Sequence, residues 1–136
     1  MTAATPARHV WYLDLLGRPP TANKQRGRHS HWSQTADETR VWRDLAKVNQ
    51  LNAVRKGQAP RSLDAISVTV CQLSKDRRWL QDLGGCFPAA KAAIDRLVDA
   101  GLIPDDTHDH LKHLGFTTPE IVGRDAMRLY IREVRT

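Results

Sequence analysis

The chain has few cysteines and no long apolar run, and each absence excludes a class of protein. Its 136 residues include two cysteines, Cys71 and Cys86, which make no disulfide framework and lack zinc-finger spacing. No apolar run approaches the roughly 18 residues that a membrane span requires, and the first residues do not form a secretion signal. We therefore expect a cytoplasmic protein with no membrane partner.

Acidic residues are also in deficit. The chain carries 21 Lys and Arg against 15 Asp and Glu, a formal net charge of +6. Such an excess favours a polyanionic partner, most often nucleic acid, but a solubilising surface produces the same excess. Net charge alone therefore leaves both interpretations open.

The apolar periodicity predicts a small mixed α/β domain over residues 9–136, preceded by a flexible tail over residues 1–8. Two helices are expected to pack on a mixed sheet. The predicted elements, in chain order, are a strand over 9–16, a helix from about 35 to 55, a strand over 65–73, a helix beginning near Pro88 and capped by Gly101, and strands over 110–115 and 126–134.

The same patterns predict which side chains face the core. In the first helix we expect the inward positions to be Val41, Leu45, Val48 and Leu51, with Trp42 alongside and Arg40, Arg43, Lys47 and Asn49 outward. In the second helix the inward stripe is Ile94, Leu97 and Val98. In the last strand Met127, Leu129 and Ile131 face inward and Arg128, Tyr130 and Arg132 outward. Trp11 and Cys71 are also expected in the core.

The segment from Arg77 to Asp106 carries most of the chemistry. Asp82 precedes a Gly84-Gly85 turn, Lys91 lies in the first turns of the second helix, and Asp105-Asp106 follows that helix. The carboxylates that flank this helix, Asp82 and Asp105-Asp106, can meet only if the chain folds back. In a basic protein, this arrangement predicts a divalent-metal site beside a bound polyanion. The alternatives are a turn carboxylate at Asp82 and solvated surface groups elsewhere.

Several motifs resemble the RusA family of Holliday-junction resolvases over essentially the whole chain. The motifs are a Pro-Pro turn followed by an Asn-bearing basic loop at Pro19, Pro20 and Asn23, the stretch Trp42-Arg43-Asp44-Leu45-Ala46, and a helix with Lys91, Ala92, Ala93, Asp95, Leu97, Ala100 and Gly101 that ends before Asp105-Asp106. The family's Asp-x-Asp-Asn signature begins at Asp82, but its second Asp and its Asn fall on Gly84 and Gly85.

The resemblance implies a homodimeric endonuclease that resolves four-way DNA junctions by paired nicks, in a bacterial or phage-infected cell. It implies catalytic roles for Asp82, Asp106 and Lys91, and Mg²⁺, with Mn²⁺ as a substitute, bound by Asp82, Asp105 and Asp106. Because Gly84 replaces an acid, the alternative is a weakened enzyme that mainly binds branched DNA. A more remote alternative is a basic protein-interaction domain.

Basic residues before the first helix and after the second strand predict the DNA surface, which comprises Lys24, Arg26, Arg28, Lys75, Arg77 and Arg78. Trp32 and Trp79 are expected either to stack on unpaired bases or to lie at the core edge. The arginines at 124, 128, 132 and 135 either extend this surface or form a solvated strand face. Three histidines, His108, His110 and His113, allow a zinc site as an alternative, or one of the first two replaces the missing acid.

Overall fold

Two helices pack on one face of a five-stranded mixed sheet in the computed structural model of the chain, as the sequence predicts. The structure describes residues 9–17, 32–77, 80 and 84–135, with only the backbone of residues 32–39, 42 and 43. The described elements are β1 Val10–Leu16, α1 Trp32–Arg55, β2 Ile66–Ser74, α2 Phe87–Asp99, β3 Leu111–Phe116, β4 Glu120–Ile121 and β5 Ala126–Glu133. None of the described helices is both long and apolar enough to cross a bilayer.

The sheet has the order β1-β5-β2-β3, and β4 pairs with the end of β2. β5 runs antiparallel to both β1 and β2, whereas β3 and β4 run parallel to β2. A parallel neighbour requires a crossover connection, and α2 supplies it between β2 and β3. The β2–α2–β3 unit therefore contains the whole segment that carries Lys91 and the acidic pair.

Alternate strand residues and the inner helix faces form the main core, a separate small cluster contains Cys71, and the predicted alternation of β5 is confirmed. The buried side chains of the core include Leu13, Leu15, Val68, Ile94, Leu97, Met127, Leu129 and Ile131. Trp11 is also buried, and its Nε1 donates to Oε1 of Gln50 at 3.0 Å. Gln50 in turn donates to the carbonyl of Pro60 at 3.1 Å, so this buried amide is satisfied.

The inner face of α1 differs from the prediction. Val41, Val48 and Leu51 are 55%, 53% and 42% exposed, and Leu45 is half-buried. The inward positions are instead Ala46, Gln50 and Ala53, which also recur at helical spacing. Small side chains let α1 approach its neighbours closely, whereas the larger valines lie on the outer face. Asn49, predicted outward, donates to the carbonyl of Asp14 at 3.1 Å.

Gly101 caps the C-terminal end of α2 as predicted, and this cap sets the direction of the loop that carries Asp105 and Asp106. Its φ of +88° is left-handed, its N–H donates to the carbonyl of Val98 at 2.9 Å, and the N–H of Leu102 donates to Leu97 at 3.1 Å. These two bonds form a Schellman motif. Leu102 and Ile103 are then buried in the core, which anchors the loop that carries the acidic pair.

Further differences concern the number and the bounds of the elements, and the bounds of β1, β2 and β5 differ from the prediction by one residue. α1 begins at Trp32, about three residues before the predicted start, and residues 18–31 lie outside the described part of the chain. β4 was not predicted because it has only two residues. β3 begins one residue later than predicted, and its pairing with β2 shifts register between Ile66 and Ser67.

Candidate functional site

Lys91 and Asp106 form the centre of the candidate site. The Lys91 Nζ donates to Oδ2 of Asp106 at 2.7 Å, with side chains 37% and 30% exposed. Lys91 is the fifth residue of α2, so the end of the helix at Asp99 lies about 12 Å beyond it. The loop after Gly101 must therefore run back along the helix to place Asp106 beside Lys91. The loop thus folds back to Lys91, whereas the meeting of Asp106 with Asp82 stays a prediction because Asp82 lies outside the described residues.

Two further carboxylates surround Asp106. The hydrogen bond from Lys91 lowers the pKa of Asp106 below its ordinary value. Burial raises this pKa, but by less, and hydrogen bonds with Asp105 and Asp95 lower it further. The Oδ1 of Asp105 also accepts the backbone N–H of Asp106 at 2.7 Å. Asp106 is therefore ionised at neutral pH, next to one cation and two other acids.

Asp95 also interacts with Asp106, although the sequence indicated no role for it. It lies one turn after Lys91 on α2, and residues four apart share a helix face. The signal was available in the sequence as the spacing of Lys91 and Asp95. The spacing became informative only once the loop placed Asp106 against the same face.

Gly84 is the position at which the predicted resemblance to junction resolvases would require a second acid. Its φ is +83°, a left-handed conformation, and a Cβ built on it would meet no atom within 4 Å. An aspartate therefore fits the space but strains the backbone by about 1 kcal/mol, and Asp and Asn tolerate this conformation better than other residues do.

Two of the predicted DNA-binding cations lie at the carboxyl end of β2. Lys75 and Arg77 are both exposed there, and the N–H of Lys75 donates to Oδ1 of Asp125 at 2.9 Å. Open α/β sheets bind ligands beyond the carboxyl ends of parallel strands, and α2 begins at this end. The other predicted positions, Lys24, Arg26, Arg28, Arg78, Asp82 and Trp79, lie outside the described residues, as does the side chain of Trp32.

The cysteine at the start of α2, Cys86, is buried. Cys86 occupies the N-cap position without a side-chain cap bond, and burial raises the pKa of its thiol to about 12, with a smaller contribution from Cys71. The thiolate, not the thiol, attacks and binds metals. The thiol of Cys86 is therefore protonated at neutral pH, which disfavours it as a nucleophile or a metal ligand.

The three histidines after α2 do not form a cluster that could bind a metal ion. His108 is 93% exposed, the Nδ1 of His110 lies 2.7 Å from the carbonyl of Asp64, and His113 lies on β3. Within the described ranges, no three His, Cys, Asp or Glu side chains are placed to hold one metal ion. Asp105 and Asp106 are oxygen donors of the kind Mg²⁺ prefers, and Asp82, their predicted third partner, lies outside those ranges.

No protein-family model matches the chain, and no curated protein matches it. The resemblance to junction resolvases therefore remains a prediction based on the residues that carry it.

Proposed function

We propose that the chain is a Mg²⁺-dependent endonuclease that nicks branched DNA, with four-way junctions as its substrate. The observation that supports this proposal is the contact between Lys91 and Asp106, fifteen positions apart. It joins a cation on α2 to neighbouring carboxylates within the β2–α2–β3 unit, in a chain of net charge +6. Phosphodiester hydrolysis needs both kinds of group, one for the phosphate and one for the metal.

Each residue has an assigned role in this proposal. Asp82, Asp105 and Asp106 would hold Mg²⁺, which would neutralise phosphate charge and lower the pKa of a bound water. Lys91 neutralises Asp106 in the free protein and contacts the scissile phosphate when DNA binds. Lys75 and Arg77 hold neighbouring phosphates.

The geometry of Gly84 favours a second candidate, a branched-DNA-binding protein that cleaves weakly. The position has room for the missing acid, yet it carries none. In this alternative the cations still bind DNA, but too few carboxylates surround the metal to support hydrolysis at the family's rate.

Paired nicking of two strands requires two active sites related by a two-fold axis, so we propose a homodimer. The exposed stripe of Val41, Val48 and Leu51 on α1 is the surface we assign to the second copy, because an isologous contact uses one patch twice. Val48→Glu should give a monomer by sedimentation. The matched change Val122→Glu, at another exposed valine, should leave the dimer intact. A dimer that survives Val48→Glu contradicts this assignment.

Cleavage of a labelled four-way junction and a matching linear duplex, each with Mg²⁺ and with EDTA, tests the function. We expect paired nicks in the junction only, lost with EDTA and in Asp106→Asn and Asp82→Asn. The control Asp109→Asn removes an exposed carboxylate from the same loop and should nick normally. Tight junction binding without nicks would support the second candidate. Absence of any DNA binding at low salt would support a protein-interaction domain.

A further inference from the structure

The face of the sheet opposite the helices is uncovered over much of its area. Tyr12, Tyr130 and Val10 are 56%, 38% and 65% exposed there. Pairing between strands arranges the outward side chains in rows across the sheet. The three rows are Val10, Arg132, Ser67 and His113; then Tyr12, Tyr130, Thr69 and Gly115; then Asp14, Arg128 and Cys71.

An ion pair holds the two tyrosines in place. Asp14 accepts two bonds from Arg128, from Nε at 2.6 Å and from a terminal nitrogen at 2.8 Å, and a third from Arg124 at 2.8 Å. The Arg128 guanidinium lies 4.3 Å from the ring centroid of Tyr12 and 5.7 Å from that of Tyr130. Because Asp14 fixes the Arg128 guanidinium, the guanidinium in turn orders both tyrosine rings before any ligand binds. This order lowers the entropy cost of binding.

A concave region of about 600 Å³ lies next to the tyrosines. Its described lining residues include no acid, and the polar ones are Ser67, Thr69, Lys112, His113, Tyr130 and Arg132. Gly115 has a steric role beside it, because a Cβ there would approach the His113 ring to 2.5 Å. Within the part of the chain that the structure describes, neither Lys112 nor Arg132 has an ion-pair partner. The region is therefore concave, polar and positively charged.

We propose that this open sheet face binds a single-stranded nucleic-acid segment, with bases stacked on Tyr130 and Tyr12 and phosphates held by Arg132 and Lys112. Exposed rings can stack only on bases that are not already stacked in a duplex, which favours a single strand over a double helix. Unpaired cations beside the rings are placed to bind the backbone that links those bases. The site lies across the sheet from Lys91 and does not depend on hydrolysis.

The charge of this face decides against a second copy of the chain as its occupant. The one acid in the three rows, Asp14, is already bonded to Arg124 and Arg128. A two-fold axis through the cavity would bring Arg132 and Lys112 towards their own counterparts, and like charges at an interface are unfavourable. A polyanion complements the same surface.

Anisotropy of a fluorescein-labelled thymidine oligonucleotide in EDTA tests this proposal without any cleavage. Tyr130→Ala should weaken binding about 5- to 100-fold, because one stacked base is lost. Tyr130→Phe, which keeps the ring, should bind like the wild type. Arg132→Gln should lower the slope of log K against log salt by about 0.7. The control Lys56→Ala removes an exposed cation from the helix layer and should leave the affinity unchanged.

Other outcomes would overturn the proposal. Tyr130→Ala and Arg132→Gln that both bind like the wild type would show that the strand lies elsewhere, as would iododeoxyuridine crosslinks confined to the helix layer. If Tyr130→Ala instead changes the oligomeric state in sedimentation, the face belongs to a second copy. Thermal melting checks that each variant is folded, and the exposed position of Arg132 keeps the test usable if Tyr130→Ala is unstable. Because Asp106→Asn should retain this binding, failure of nicking and failure of this proposal are separate results.

Discussion

Two ion pairs lie on opposite sides of the sheet, and they restrain their partners to different degrees. Lys91 reaches Asp106 through one bond of 2.7 Å, with both side chains about a third exposed. Arg128 donates two hydrogen bonds to Asp14, and these side chains are 20% and 17% exposed. Lysine is a point charge on a flexible stem, whereas the arginine fork is rigid and planar. The helix-side pair can therefore exchange partners, while the sheet-side pair fixes the rings around it.

This difference matches what each side is proposed to do. A group that contacts a phosphate only when substrate is present must leave its resting partner at little cost, and an exposed pair contributes at most about 1 kcal/mol. A stacking surface instead gains from rings that are already ordered. Four variants test whether the two sides are independent in this way.

The largest effect should come from Lys91→Ala, which acts on the helix side alone. Removing one preorganised cation from a phosphoryl-transfer site costs about 10²–10³-fold in rate. Single-strand affinity should not change, because the open face lies across the sheet. Junction nicking under single-turnover conditions and oligonucleotide anisotropy measure the two properties. Lys56→Ala is the charge-matched control, and equal losses in both variants would show a general charge effect.

Asp14→Asn should have the next largest effect, on the sheet side alone. It removes the charge that Arg128 and Arg124 share, and a hydrogen bond to a charged group contributes about 1.5–3 kcal/mol. Urea unfolding should show a loss in that range. Oligonucleotide affinity should fall because the tyrosine rings lose their support, while the nicking rate at saturating junction should not change. Glu120→Gln, at an exposed acid of β4, is the control. A fall in nicking equal to the fall in affinity would mean that the two sides are coupled.

Gly84→Asp tests whether the helix side is complete. Metal affinity rises with the number of carboxylates, so the Mg²⁺ concentration for half-maximal nicking should fall about tenfold. Gly84→Asn is the matched control, because Asn tolerates the left-handed φ of +83° equally but adds no charge. If Asp reduces nicking and Asn does not, the Gly84 form is a complete site and the missing acid is not a defect.

The two sides also differ in how far the sequence predicts them. Lys91 and Asp106 belong to one short segment, and the family resemblance placed both in one predicted site, but their direct ion pair was not predicted. The alternation of β5 likewise placed Arg128, Tyr130 and Arg132 outward. The partner of Arg128 could not be predicted, because Asp14 is 114 positions away and becomes its neighbour only through strand register.

The prediction of the inner face of α1 was wrong for a related reason, because that face too depends on the neighbouring elements. Its larger apolar residues suggested the inner face, but close packing placed Ala46 and Ala53 there and left Val41 and Val48 outside. Two stripes with helical spacing were present in the sequence, and only the neighbouring elements decide between them. Residue size, not hydrophobicity alone, determined the outcome.

The smallest expected effect is a pH dependence on the helix side. Lys91 holds the pKa of Asp106 below its ordinary value of about 3.9. The stability that this pair contributes is therefore present above that ordinary value and is lost as the pH falls through the lowered pKa. Because the pair is about a third exposed, the contribution is under about 1 kcal/mol. In Lys91→Met the carboxyl signal of Asp106 in a ¹³C NMR titration should move back towards the ordinary pKa, while the signal of exposed Asp109 should not move. An unchanged titration would mean that other neighbours, not Lys91, lower the pKa of Asp106. Lys91 would then not have to give up a stabilising partner to contact the phosphate.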